Sequence, residues 1–297
     1  MSKCRALLVL LVAVCLLAPL GASRDESRDS ASPGRASQQR QPPPPYRILI
    51  SNDDGVRAPG LAAIAQIIQL IGTPVIVAPA DNQTGKGHSI ITTEPVFRED
   101  LTLPNGLRAI GLTATPASTV NIAIRNIVTP RPDLVISGIN RGYNLGFSAY
   151  LSGTVGAARE AAMHGIPAIA ASLAGSASPQ EFVSAAEEVF GAARRVKQYG
   201  LPPNTFLNVN VPPMPQGGYK GYMITTQALL RGGQESFVET KEPRSGQSIY
   251  WNVYKEGMQA PQGTDIWAVE NGYVSVTPMK LGETDPTQFD ALRAIFK

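Results

Sequence analysis

Cysteine and histidine are nearly missing from this 297-residue chain, which has two of each. Both cysteines, Cys4 and Cys15, fall inside an N-terminal segment that reads as a removable leader, so the mature chain carries no thiol. Disulfides, thiol catalysis and cysteine-held metals are thereby excluded, and the fold must be stabilised by its core. Charge is also sparse, at 16% of residues. The formal net charge of +3 belongs to the ends, because residues 46–297 hold 20 basic and 20 acidic side chains. A body without net charge gives no reason to expect nucleic-acid binding. The composition, 43% hydrophobic, excludes collagen, coiled coil and wholesale disorder. At this length it suits one large domain or two small ones, with a sizeable core.

The N-terminal segment has a short basic start, Lys3 and Arg5, then an unbroken apolar run from Ala6 to Ala18. Pro19 and the small residues Gly21-Ala22-Ser23 follow, which together read as a signal peptide over residues 1–22. The run is short for a transmembrane helix, the alternative being an uncleaved anchor. Residues 23–45 have no apolar period and end in four prolines, as expected of a solvated linker that stiffens toward polyproline II. The expectation is an exported protein, periplasmic or secreted, with no membrane attachment after cleavage and a folded domain over residues 46–297.

From Tyr46 onward, short β-rich runs alternate with helical spacing. Strands are predicted over 47–51, 74–79, 133–137 and 166–172, and helices over 61–71, 116–128, 153–164 and 181–199. Nearly continuous apolar strands alternating with helices imply a mainly parallel sheet covered on both faces, a Rossmann-like three-layer α/β sandwich. The last third looks different, with strands at 206–211, 223–227, 249–253 and 273–277 and few helices between them. Residues 228–248 are polar and glycine-rich, and read as a protruding hairpin or arm.

In open parallel sheets, ligands bind beyond the carboxyl ends of the strands. Three strand tails are polar and glycine-rich: Ser51-Asn52-Asp53-Asp54-Gly55, then Ala80 to Ser89, then Gly138 to Gly146. Adjacent carboxylates such as Asp53 and Asp54 repel each other unless a cation or proton lies between them. Oxygen ligands of this kind suit Mg²⁺ or Mn²⁺. The same four residues, Asn-Asp-Asp-Gly, also suit a plain turn. Lys86 is followed by Gly87, so the 84–89 loop is not a nucleotide-triphosphatase phosphate loop. His88 lies in that loop, whereas His164 sits at a helix end with no chemical role expected. Asn140 and Asn144 can ligate a metal through the amide oxygen or donate to a phosphate. Ser152-Gly153-Thr154 opens a helix whose free N–H groups form an anion site, with Ser152 also a plausible ordinary cap. A hard metal beside an anion cradle is what phosphate-ester hydrolysis requires.

The blocks RILISNDDGVRAPGL, APADNQTGKGHSI, DLVISGINRGYNLG, LSGTVGAAREAAMHGIPAIAAS and TDIWAVENGYVSVTP resemble, in this order, the SurE family of metal-dependent 5′/3′-nucleotidases. The resemblance implies one divalent metal, Mg²⁺ or Mn²⁺, on Asp53, Asp54, Thr84 and Asn140. It implies phosphate binding by Asn144, Ser152, Gly153 and Thr154. Asp53, Asp54 and His88 are the catalytic candidates, His88 as general acid. Three departures stand out. Thr84 replaces the usual Ser, Ser118 stands where the family has Asp, and Ala80 fills a position usually held by Asp. The family forms dimers with exchanged C-terminal segments, which suits the polar arm and implies a homodimer or dimer of dimers. The expected substrate is a nucleoside monophosphate or other small phosphomonoester.

Two rival readings remain open in the sequence. One is a broad acid phosphatase or exopolyphosphatase on the same residues. The other is a periplasmic solute-binding protein, which would need two lobes of similar size rather than one body and a β-rich arm.

Overall fold

The computed structural model describes residues 45–230, 235–254 and 259–296. The signal peptide at 1–22, nearly all of the 23–45 linker and part of the 228–248 arm lie outside the described residues. The chain runs through β1 (Arg47–Ser51), α1 (Pro59–Ile68), β2 (Thr73–Pro79), β3 (Arg98–Thr102), β4 (Arg108–Leu112) and α2 (Pro116–Ile122). It continues as β5 (Leu134–Arg141), α3 (Ser148–Leu151), α4 (Gly153–Met163), β6 (Ala168–Leu173), α5 (Pro179–Tyr199) and β7 (Thr205–Val211). The last part comprises β8 (Tyr222–Ile224), β9 (Glu235–Lys241), β10 (Ser248–Tyr254), α6 (Asp265–Glu270), β11 (Val274–Lys280) and α7 (Phe289–Ile295).

Nine strands form one sheet in the order β3-β4-β2-β1-β5-β6-β7-β11-β8. The six from β4 to β7 are parallel, β3 is antiparallel at one edge, and β11 runs antiparallel to β7. Alternation along β1 sorts the core into two layers. Ile48 and Ile50 pack with Leu61, Ile64 and Ile68 of α1 and with Phe182 and Val189 of α5. Leu49 faces the other way, toward Val120 of α2 and Val155, Ala157, Ala158 and Ala161 of α4. The three-layer α/β expectation holds. Small residues set how closely the helices approach. At Gly60 of α1, the place a Cβ would occupy is 1.9 Å from the Ile139 carbonyl oxygen on β5.

Strand β1 is followed by a crossover to β2 on one side, while β5 lies on its other side, so the strand order reverses between β1 and β5. That reversal opens a crevice at the carboxyl ends of these two strands, where a parallel sheet takes its ligand.

Several boundaries differ from the sequence expectation. The helix expected over 116–128 is α2 followed by a wider π-helical turn at Ala123–Ile127. Strand β5 runs on to Arg141, with a shift in its pairing to β6 between Ser137 and Asn140, so Asn140 belongs to a strand and not a loop. The arm is a two-stranded hairpin of β9 and β10, so it extends past 248 to include the strand expected at 249–253, which runs over 248–254. The strands β3 and β4, and the helices α3, α6 and α7, lie outside the expected elements.

Candidate active site

The NDDG segment is a closed turn whose bonds are made by residues other than the two aspartates. Asn52, fully buried, donates from Nδ2 to the Gly55 carbonyl at 2.9 Å and accepts the Gly55 N–H at 3.2 Å. Gly55 has φ +103, which side-chain-bearing residues rarely adopt. This closed turn leaves Asp53 and Asp54 at its apex. Asp53 is 2% exposed, and its Oδ1 accepts from the Thr154 hydroxyl. Asp54 Oδ2 accepts the Arg141 N–H at 2.9 Å. Each carboxylate is thus oriented through one oxygen and keeps lone pairs for a cation.

Asp53 abuts the start of α4. A Cβ at Gly153 would lie 2.8 Å from Asp53 Cβ, 3.0 Å from its Oδ2 and 2.9 Å from Pro116 Cγ, so glycine is what lets the helix end and the carboxylate meet. Ser152 caps this helix by accepting the Val155 N–H at 3.1 Å. Burial raises the Asp53 carboxyl to about 6, and the neighbouring Asp54 charge adds to this while Thr154 opposes it. Burial also raises Asp54, against the lowering effect of its bond to Arg141. A carboxylate held out of water beside a second one is poised for a cation.

The 80–89 loop is tied to the same place. The Gln83 N–H donates to the Asp53 carbonyl at 2.7 Å, and the Thr84 N–H to Asn82 Oδ1 at 2.9 Å. Thr84 is exposed in this loop. Asn140 is buried and gives its Nδ2 to the Gly142 carbonyl at 2.7 Å, which leaves its amide oxygen without a protein partner among the described residues. The two carboxylates and the Asn140 amide oxygen are oxygen donors of the kind Mg²⁺ or Mn²⁺ takes, and the Thr84 hydroxyl on the tethered loop could add a further one. Among the described residues, no group of three or more His, Cys, Asp or Glu side chains could hold a metal. Any cation here would therefore rely on neutral donors besides the two aspartates.

Asn144 is bound into a buried amide network. Its Nδ2 donates to Ser172 Oγ at 2.7 Å, its N–H to Asn210 Oδ1 at 2.9 Å, and its carbonyl accepts from Asn208 Nδ2 at 2.7 Å. Sequence reading missed Ser172, Asn208, Asn210 and Asp265. The fully buried Asp265 carboxylate accepts the N–H of Gly146 at 2.8 Å and of Ala228 at 2.9 Å, joining the Asn144 loop to the last third of the chain. These partners are far apart in sequence, and the only local signal is Thr264-Asp265 at the start of α6. His88 stands beside α4 with its Nε2 2.7 Å from Glu160 Oε2, and His164 is the last-turn cap of the same helix. The structure thus gathers Asp53, Asp54, Asn140 and Ser152-Gly153-Thr154 around one crevice, with the Thr84 loop tethered to it. The Arg141 guanidinium is turned away, bonded to the Ala177 carbonyl and stacked 4.8 Å over Phe182.

Residues 48–233 match the family model described as Survival protein SurE. The chain is 38% identical over 252 residues to the 5′-nucleotidase SurE of Geotalea daltonii, covering 84% of this chain and 98% of that protein. It is 41% identical over 250 residues to the 5′-nucleotidase SurE of Symbiobacterium thermophilum, covering 83% and 96%. The crystal structure of the SurE protein from Aquifex aeolicus matches with a TM-score of 0.73 at 36% identity, over 84% of this chain and 100% of that one.

Proposed function

The chain belongs to the SurE family, and from that premise we propose that it is a phosphomonoesterase releasing phosphate from nucleoside 5′-monophosphates, and from 3′-monophosphates at the same crevice. The observation that carries this reading is Asp53, buried beside Asp54 and flush against the amino end of α4 at Gly153. An anion and a cation can both be held there, the anion by free helix N–H groups and the cation by carboxylates. Asp53, Asp54, Thr84 and Asn140 would hold one Mg²⁺ or Mn²⁺. When bound, that ion would polarise a phosphoryl oxygen and acidify a water. The protein's own groups orient the ester. The amino end of α4 at Ser152-Gly153-Thr154 would face the phosphate, the Asn144 network fixes the floor of the crevice, and His88 serves as proton donor to the leaving oxygen.

A substrate panel tests this. Nucleoside 5′- and 3′-monophosphates should outrank p-nitrophenyl phosphate and polyphosphate in kcat/KM. The reverse ranking would favour the broad phosphatase, and tight ligand binding without turnover would favour a solute-binding protein.

The β9–β10 hairpin supports a second part of the proposal, a homodimer. Val238, Trp251 and Val253 share one face of the hairpin and Phe237 and Tyr250 the other, all exposed, with Trp251 at 63%. A lone hairpin with apolar groups on both faces is marginal in water, so a second copy of the chain is its covering. Trp251→Glu should convert the dimer to monomer in analytical ultracentrifugation without unfolding the main sheet; a variant still dimeric would place the interface elsewhere. Export is proposed from the basic, apolar and small-residue pattern of residues 1–22 alone.

A further inference from the structure

Both histidines of the protein converge on one carboxylate. Glu160 on α4 is 6% exposed. Its Oε2 lies 2.7 Å from Nε2 of His88, and its Oε1 lies 3.2 Å from Nε2 of His164 and accepts an N–H from Asn121. Burial works to raise the Glu160 carboxyl, and the bonds from His88 and Asn121 outweigh it, so it lies below the ordinary range. An ionised carboxylate only accepts, so the His88 nitrogen that faces it carries the hydrogen. The other ring nitrogen, Nδ1, has no hydrogen-bond partner among the described residues.

The loop that carries His88 is held by three helices, α3 at Leu151, α4 at Gly156 and α2 at Ser118. The Gly87 N–H donates to the Leu151 carbonyl at 3.0 Å. The Gly87 carbonyl oxygen sits 2.3 Å from where a Cβ on Gly156 would be, an approach that only glycine permits. Beyond His88, the Ile91 N–H donates to Ser118 Oγ at 2.7 Å. His88 is therefore fixed beside the helix whose first turn meets Asp53.

We propose that Glu160 is a positioning residue for His88, holding the hydrogen on Nε2 and balancing the imidazolium so that Nδ1 is the atom that protonates the leaving ester oxygen. The inference rests on the phosphomonoesterase reading. In the hydrolysis, the ester P–O bond breaks and the leaving oxygen takes the Nδ1 proton. Water supplies the new oxygen on phosphorus; one of its protons stays with the phosphate and the other restores the imidazolium. Support of this kind, a histidine oriented through its far nitrogen by a buried carboxylate, is a general way to fix the working atom of the ring.

Leaving-group dependence tests the proposal. A ribose oxygen needs a proton as it departs, whereas p-nitrophenolate leaves without one. In Glu160→Gln, kcat for a nucleoside 5′-monophosphate should fall by about 10- to 100-fold. With p-nitrophenyl phosphate it should fall by less than about 3-fold, since little general-acid help is needed there. KM should stay unchanged for both substrates. His88→Gln should give the same split, and the double variant no further loss. Equal losses on both substrates, or additive losses in the double variant, would mean that Glu160 acts only through the fold. Should Glu160→Gln fail to fold, the His88→Gln split decides by the same criterion. A readout free of turnover comes from ¹⁵N imidazole spectra. With His164→Gln as background, His88 is the single ring, and the Nε2–H form should dominate when Glu160 is present. An Nδ1–H form there overturns the proposal. Absence of phosphate release by the unaltered protein would overturn the phosphomonoesterase reading instead, while the spectrum still reports on the Glu160–His88 pair.

Discussion

Asp53→Asn should lower phosphate release by on the order of 10³-fold, and yet make the metal-free protein more stable at neutral pH. The loss of activity follows from removing a charged oxygen donor at the crevice, since a bound cation contributes several kcal/mol of charge stabilisation in phosphoryl transfer. The gain in stability follows from the direction of the Asp53 shift. Its carboxyl is raised from 3.8 to about 6 in the fold, mainly by burial. The unfolded chain therefore ionises first, and native stability is lost as pH rises from about 4 through about 6. Two units correspond to about 3 kcal/mol at pH 7 and above. Asparagine has the same shape and can still accept from Thr154, but it carries no charge to bury. Chemical denaturation in the presence of chelator should show the variant more stable than the parent at pH 7.5 and equal to it at pH 3.5. Saturating Mn²⁺ should shrink or reverse the difference at neutral pH, because the cation stabilises only the parent. A variant less stable than the parent at both pH values would mean that Asp53 is held by compensating contacts rather than strained by burial.

Gly153→Ala is the second large effect. The added Cβ would meet Asp53 Cβ at 2.8 Å and Pro116 Cγ at 2.9 Å, and neither is the free end of a flexible side chain. Pro116 is the buried first residue of α2, and Asp53 sits on the closed turn after β1. Something in this contact has to move by a few tenths of an ångström or more, and the atom most exposed to that shift is the Asp53 carboxylate. Overpacking at such a site costs about 1–3 kcal/mol. A misplacement approaching 1 Å at a reacting centre lowers rate by about 10²-fold. Both losses should appear together, in denaturant midpoint and in kcat. Gly282→Ala is the control, since nothing lies within 4 Å of its would-be Cβ and its backbone is not in the left-handed region. Retention of full activity by Gly153→Ala would mean that the α4 end and Asp53 can separate without consequence, against the shared cradle proposed for metal and phosphate.

Residue types read well from the sequence wherever local pattern and tertiary role coincide. Strand β1 and the strands beside it are apolar runs because both faces are covered, and α5 shows its helical period together with a capping box of Ser178 and Glu181. The strand-end loops were legible because turn chemistry and ligand chemistry use the same Asn, Asp and Gly. Legibility fails where a role depends on distant partners. Strand β3, Arg-Glu-Asp-Leu-Thr, is polar because it is an edge, and its charges pair across the surface as Arg57–Glu99 and Arg98–Asp100. Glu160 in an alanine-rich helix looks like a solvated position, and only the fold brings His88, from 72 residues away, to meet it. Asp265 has the same character, as its carboxylate reaches a backbone N–H 119 residues away. The second strand of the hairpin is legible at 249–253, within a residue of its ends, because it is rich in β-formers, whereas the polar, glycine-rich stretch before it does not reveal β9 as its partner.

Cation dependence of phosphate release is the most direct test of the crevice. The full-length protein is stripped with chelator, supplied with a nucleoside 5′-monophosphate, and titrated with Mg²⁺ or Mn²⁺, alongside Asp53→Asn and Asp54→Asn. No release is expected without added cation, with saturable recovery in the parent and no recovery in either variant at concentrations that saturate the parent. Full activity in the stripped parent, or equal recovery in all three proteins, would contradict a catalytic cation at Asp53 and Asp54.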